Sequence, residues 1–155
     1  MNIFVLDESP VVSAKYACDK HCVKMILESA QMLCSAHPEG TAPYKRSHYN
    51  HPCTKWVRET AKNYEWLLSH AYALCEEYTS RYGRVHKTES VIEWCDYNRP
   101  DLPKIGLTEH PKCMPDYCKA ESVVESYRNY YIKEKSHFVS WKGMDSPKWY
   151  REALA

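Results

Sequence analysis

The sequence predicts an all-α fold: a single compact helical domain over residues 1–155, with two long helices, a short N-terminal extended arm and a basic-aromatic C-terminal tail. Three observations predict it. Apolar residues recur every three or four positions through two long stretches, which is the period of a helix with one buried face. Prolines stand where helices start, after Ser9 and after His51. Only 4 glycines interrupt 155 residues, so few tight reversals are encoded.

In order, Asn2 to Leu6 is a short apolar piece, read as a small strand or an extended arm packed on the core. Ser9-Pro10 reads as N-cap and first helical residue of a helix reaching about Ala36, where His37-Pro38-Glu39-Gly40 stops it. Its apolar stripe is Val11, Ala14, Cys18, Cys22, Met25, Ser29 and Met32. Residues 37–51 form a turn-rich loop. Pro52 opens the second helix, which carries Val57, Ala61, Tyr64, Leu68, Ala71, Cys75 and Tyr78 at helical spacing and runs to Tyr82, with Gly83 closing it. Within it Trp56, Asn63 and Trp66 read as core and network residues, and the amide of Asn63 needs partners if buried. A shorter helix is expected over Thr88–Tyr97, then a proline-punctuated loop from Pro100 to Pro115. Ser122 with Glu125 fits a capping box for a helix to about Lys135, and Pro147 starts a last short turn.

Composition removes several function classes. A net charge of +1 supplies no global attraction to nucleic acid, so a basic footprint must be local. No apolar run approaches membrane-spanning length. The 8 cysteines lie within helical patterns and no secretory leader opens the sequence, so reduced thiols in the cytoplasm are expected.

Two polar clusters concentrate the chemistry. Lys20-His21-Cys22-Val23-Lys24 interrupts the first helix, and His21, Lys24, Glu28 and Gln31 share one face of it. Charge in the middle of a core helix is useful where that face looks into a cleft. There Lys20 and Lys24 suit a phosphate, and they would depress the pKa of His21 and keep it neutral. The bland alternative is a solvated face. The second cluster is His48-Tyr49-Asn50-His51-Pro52, preceded by Lys45 and Arg46. A phosphate can dock at the helix start behind it with help from Lys55 and Arg58, against the alternative that Asn50 or His51 merely caps the helix. The two clusters are expected to border a shared hollow.

A zinc reading competes, because Cys18, His21 and Cys22 on one segment and His48, His51 and Cys53 on the other are ligand types. Cys18 and Cys22 also lie on the apolar stripe, where a thiol acts as a small hydrophobe, so no metal or other cofactor is expected. From Tyr127 to Arg151, Arg128, Lys133, Lys135, Lys142, Lys148 and Arg151 interleave with Tyr130, Tyr131, Phe138, Trp141, Trp149 and Tyr150. Cations alternating with rings suit a nucleic-acid backbone and its bases, against core packing of the same rings.

Three segments resemble the phage pyrimidine-dimer DNA glycosylases of the endonuclease V type, small all-helical enzymes that flip a nucleotide and cut the glycosidic bond. Lys20-His21-Cys22-Val23-Lys24 resembles that family's arginine, glutamate, two-residue spacer, arginine pattern. Asn63 to Tyr82 is similar to its central helix, and Pro147-Lys148-Trp149-Tyr150 to its proline, any residue, Trp-Tyr tail. The order around Met114-Pro115-Asp116 and Ser122 to Lys135 is also similar. The resemblance implies double-stranded DNA as partner, a phage-infected bacterial cell as setting, and an N-terminal amine that forms a Schiff base at the sugar C1′.

This sequence departs from that pattern twice. Asn2 follows Met1, so the amine of Met1 itself is the candidate nucleophile. His21 stands where the family has its carboxylate, so a carboxylate must come from Asp19 or Glu28. The leading reading is therefore a DNA glycosylase/AP-lyase-like enzyme acting on a flipped damaged or modified base. Its catalytic candidates are Met1, His21 and Glu28. Its phosphate or nucleic-acid contacts are Lys20, Lys24, Lys45, Arg46, His48, His51, Lys55, Arg58, Lys148, Trp149 and Tyr150. The runner-up is a noncatalytic module on the same fold that binds a nucleotide or a protein, and a zinc-binding protein comes third.

Overall fold

The computed structural model describes residues 1–155 and contains seven α-helices and no strand. They are α1 (Pro10–Tyr16), α2 (Asp19–Ser35), α3 (Pro52–Glu59), α4 (Ala61–Tyr82), α5 (Glu89–Tyr97), α6 (Val123–Tyr130) and α7 (Lys148–Leu154). Helix α4 is central and packs against α1, α2, α3 and α5. No helix is long and apolar enough to cross a membrane.

Each long helix expected from periodicity is two helices. The first breaks at Ala17 and Cys18, both extended. The freed polar groups find tertiary partners, as buried backbone must. Tyr131 Oη accepts from Cys18 N at 3.2 Å, and Ser140 O accepts from Asp19 N at 2.8 Å. Arg81, from α4, donates to Ala17 O at 2.8 Å and Lys15 O at 3.1 Å, and pairs with Asp19 at 3.1 Å and Glu77 at 3.0 Å. A guanidinium with five fixed donors can close such a gap where a lysine could not. The break changes the register, which turns Val11 outward while Ala14, Cys18, Cys22, Met25, Ser29 and Met32 are buried as expected.

The second long helix breaks at Thr60, a β-branched residue in extended conformation that caps α4 by accepting from Asn63 N. Pro103 O takes the adjoining Ala61 N at 2.9 Å. The buried amide of Asn63 is fully used: it donates to Trp56 O and Thr108 Oγ1 and accepts from Thr108 N. It staples the long loop across the break.

The N-terminal arm is extended but pairs with no strand. Ile3, Phe4, Val5 and Leu6 are all buried, and burying side chains of this size stabilises by roughly 1.5–3 kcal/mol each. Its backbone is satisfied instead by side chains. Ser13 Oγ donates to Phe4 O and accepts from Leu6 N, while Arg128 donates to Leu6 O. Near the other end, the expected capping at Ser122 is present, and α6 runs into a π-helical turn over Tyr131–Lys135. Such wide turns are rare and frequent at functional sites, because they re-aim the side chains they carry.

Candidate active site

The arm, α2 and the π-helical turn enclose a cleft of about 330 Å³, within the range of small-ligand sites. Its lining includes Met1, Lys20, His21, Lys24 and Glu28 on one side and Tyr130, Lys135 and Phe138 on the other. The α-ammonium of Met1, Lys20, Lys24 and Lys135 put four cations around one carboxylate, so the cleft attracts anions.

The α-nitrogen of Met1 lies 3.1 Å from Glu28 Oε1, and Lys24 Nζ lies 3.8 Å from Glu28 Oε2. Oε1 is buried and makes no directed hydrogen bond, so its contact with the amine is a charge pair that leaves a lone pair unclaimed. Glu28 sits two helical turns beyond His21 on the same face of α2. Asp19, the other carboxylate considered, is committed to Arg81, Ser140 Oγ and Lys142 N.

His21 is buried, stacked on Phe4 with ring centroids 3.9 Å apart and edge-on to Phe138. Burial pushes its pKa down to about 3, with smaller contributions from Lys135 and Lys24. The neutral imidazole expected from the lysines is thus present, with desolvation as the larger cause and Lys135 replacing Lys20 as a contributor. Tyr131 Oη lies 2.7 Å from His21 Nδ1. That hydroxyl also accepts from Cys18 N. The histidine is neutral and held in place.

The remaining candidates separate into groups. Lys20 is exposed at the rim, 4.7 Å from the Phe138 ring centre. Lys45, His48 and Lys55 are exposed, on the loop before α3 and on its first turns. Arg46 and Arg58 clasp the Tyr49 ring at 4.4 Å and 3.7 Å, and each also donates to a loop carbonyl. His51 caps α3 by accepting from Cys53 N. The hollow expected between the two clusters therefore forms differently: Lys20, His21 and Lys24 meet Met1 and the C-terminal segment, while His48 and His51 do not line it. His51 is still near enough for the α-amine to lower its pKa and for Glu28 to oppose that, after desolvation as the main cause.

At the tail, Lys148 is exposed and pairs with Glu152, while Trp149 packs edge-on against Tyr16 and Tyr150 is buried beside Trp141. These two rings face the protein. The residues not singled out in advance are Lys135, Tyr130 and Phe138 in the wall and Phe4 beneath His21. The mixed basic and aromatic character of 127–151 was the only signal for the first three.

A larger hollow of about 460 Å³ is lined by Glu8, Glu109 and Glu121 with Trp66 and His110, and by no lysine or arginine. Its charge is wrong for a polyanion. The two thiol pairs are Cys34 with Cys95, sulfurs 3.8 Å apart, and Cys53 with Cys113, 3.7 Å apart. Cys18 and Cys22 are buried on the core side and do not join the histidines of the second cluster.

The family model described as pyrimidine dimer DNA glycosylase matches residues 1–90, which hold the amine, His21 and Glu28 but not the wall at 130–138. Comparison with curated proteins and with solved structures gave no match.

Proposed function

The chain belongs to the pyrimidine dimer DNA glycosylase family, and from that premise we propose that it is a DNA glycosylase with lyase activity that takes a flipped, damaged or modified nucleotide of duplex DNA into the cleft of Met1 and Glu28. The observation that carries the reading is the contact of the α-amine with a buried, otherwise unpartnered carboxylate oxygen inside a cationic cleft.

In this scheme Glu28 takes a proton from the α-ammonium and frees the nitrogen lone pair. The lone pair bonds to the sugar C1′ as the C1′–base bond breaks, its electrons leaving with the base, which receives the proton that Glu28 took from the amine. Loss of the next amine proton with opening of the C1′–O4′ bond leaves an imine. Elimination at C2′ and C3′ then expels the 3′-phosphate. Once it has passed that proton to the base, Glu28 is a carboxylate again and stabilises the positive charge on the iminium, which a neutral imidazole cannot do. His21 contributes a hydrogen bond from its neutral ring, and its position is set by Tyr131 and Phe4. Lys20, Lys24 and Lys135 hold phosphates around the flipped nucleotide, with Lys45 and Lys55 as outlying contacts along the duplex.

Borohydride trapping on an abasic duplex tests this. The expected product is a covalent adduct that peptide mapping assigns to the N-terminal residue. No adduct would leave the noncatalytic reading standing, and an adduct on Lys20, Lys24 or Lys135 would move the chemistry away from the α-amine.

A further inference from the structure

Beside the arm, the start of α3 and the long loop bring three metal-ligand side chains together: His51, Cys53 and Cys113 each offer one ligand atom, all within 4.8 Å of one another. We infer that these three residues bind a single zinc-type divalent cation, which ties the long loop to the start of α3.

The spacing of the sulfurs supports this. Two thiolates each about 2.3 Å from a tetrahedral zinc stand roughly 3.8 Å apart, and Cys53 Sγ and Cys113 Sγ are 3.7 Å apart. Cys34 and Cys95 have nearly the same separation, 3.8 Å, but no third histidine, cysteine or carboxylate joins them. That pair is two small buried side chains in contact, and it serves as an internal control. The donor set of two sulfurs and an imidazole is soft, which selects zinc or its analogues over magnesium or calcium. Cys53 is buried, but His51 and Cys113 are partly exposed, so an ion can reach the site from solvent and a solvent ligand can take the fourth position.

The lone pair of His51 Nδ1 now accepts from Cys53 N at 3.1 Å. An ion bound through Nδ1 would take that lone pair over from Cys53 N. Both thiols lose their protons on binding, so loading releases protons and weakens in acid. Asn2 adjoins the site: its Nδ2 donates to Cys113 O at 2.9 Å, and its Oδ1 lies 3.7 Å from Cys53 Sγ. The cation thus joins two chain segments that are distant in sequence, with Asn2 of the arm hydrogen-bonded alongside.

The test is cobalt(II) titration of the full-length reduced protein, read by thiolate-to-cobalt charge-transfer absorption. One cobalt per chain is expected, displaced by zinc, with the absorption lost in Cys113→Ser and kept in Cys34→Ser. Far-ultraviolet circular dichroism confirms that both variants remain helical. Absence of the charge-transfer band from the wild-type protein would overturn the inference. So would a band that survives Cys113→Ser, or one that Cys34→Ser removes equally. The readout does not involve DNA, so it stands or falls independently of the glycosylase reading.

Discussion

Acid should loosen this fold well before its carboxylates titrate, because three histidines are held neutral by burial. Burial pushes His21 and His110 down to about 3, and His70, whose Nδ1–H donates to Pro10 O at 3.0 Å, down to about 4. A histidine released by unfolding titrates near 6.5, so below that pH the unfolded chain binds protons that the native chain refuses. Stability is therefore full above about pH 6.5 and falls as the pH drops toward the native values. Each such histidine costs about 1.4 kcal/mol per pH unit in that window, or about 2 kcal/mol at pH 5, and the three together about 6 kcal/mol. That is a large share of the roughly 5–15 kcal/mol that holds a domain folded. Urea unfolding followed at pH 7.5, 6 and 5 measures the loss, and His70→Gln, which removes one of the three titrations, should reduce the slope by about a third. A urea midpoint that stays level between pH 7.5 and pH 5 would refute the reasoning.

Three further outcomes are expected. Glu28→Gln should bind duplex DNA at wild-type strength but lose about a hundredfold or more in single-turnover cleavage, because it keeps the shape and removes the proton acceptor; unchanged cleavage would remove Glu28 from the chemistry. Changing Lys24 or Lys135 to Gln should each reduce by about one the slope of log affinity against log salt, measured by fluorescence anisotropy, whereas an unaltered slope would mean that the lysine touches no phosphate. Arg81→Met leaves Asp19 and Glu77 without their shared partner at the α1–α2 break, and should destabilise by about 3 kcal/mol, near 6–12 °C in Tm by calorimetry. A shift of a degree or two would show that the break is held by its other partners.

The helical class and the polar face of α2 were legible because both are local: a period of 3.6 residues places His21, Lys24 and Glu28 in line whatever surrounds them. The two breaks were not. At Ala17 and Thr60 the periodicity continues across the gap, and what stops the helix is a hydrogen-bond partner distant in sequence, Arg81 and Ser140 in one case and Pro103 in the other. The site divides along the same line. Glu28 could be named from its helix face, but its meeting with Met1 depends on how the arm is buried, and Lys135 and Phe138 enter only through the π-helical turn. Cys113 escaped notice because its companions His51 and Cys53 lie on a different segment, joined to it by folding alone. Short-range pattern reveals which side chains share an element. It carries little about which elements meet.

The two sides of the cleft come from segments far apart in the chain, and a ribosome delivers them at different times. The arm and Glu28 are made before Tyr130, Lys135 and Phe138. A nascent chain thus carries one wall of the hollow without the other. Under the proposed function, exchanging the later-made wall alone would retune what the hollow accepts without moving Met1 or Glu28.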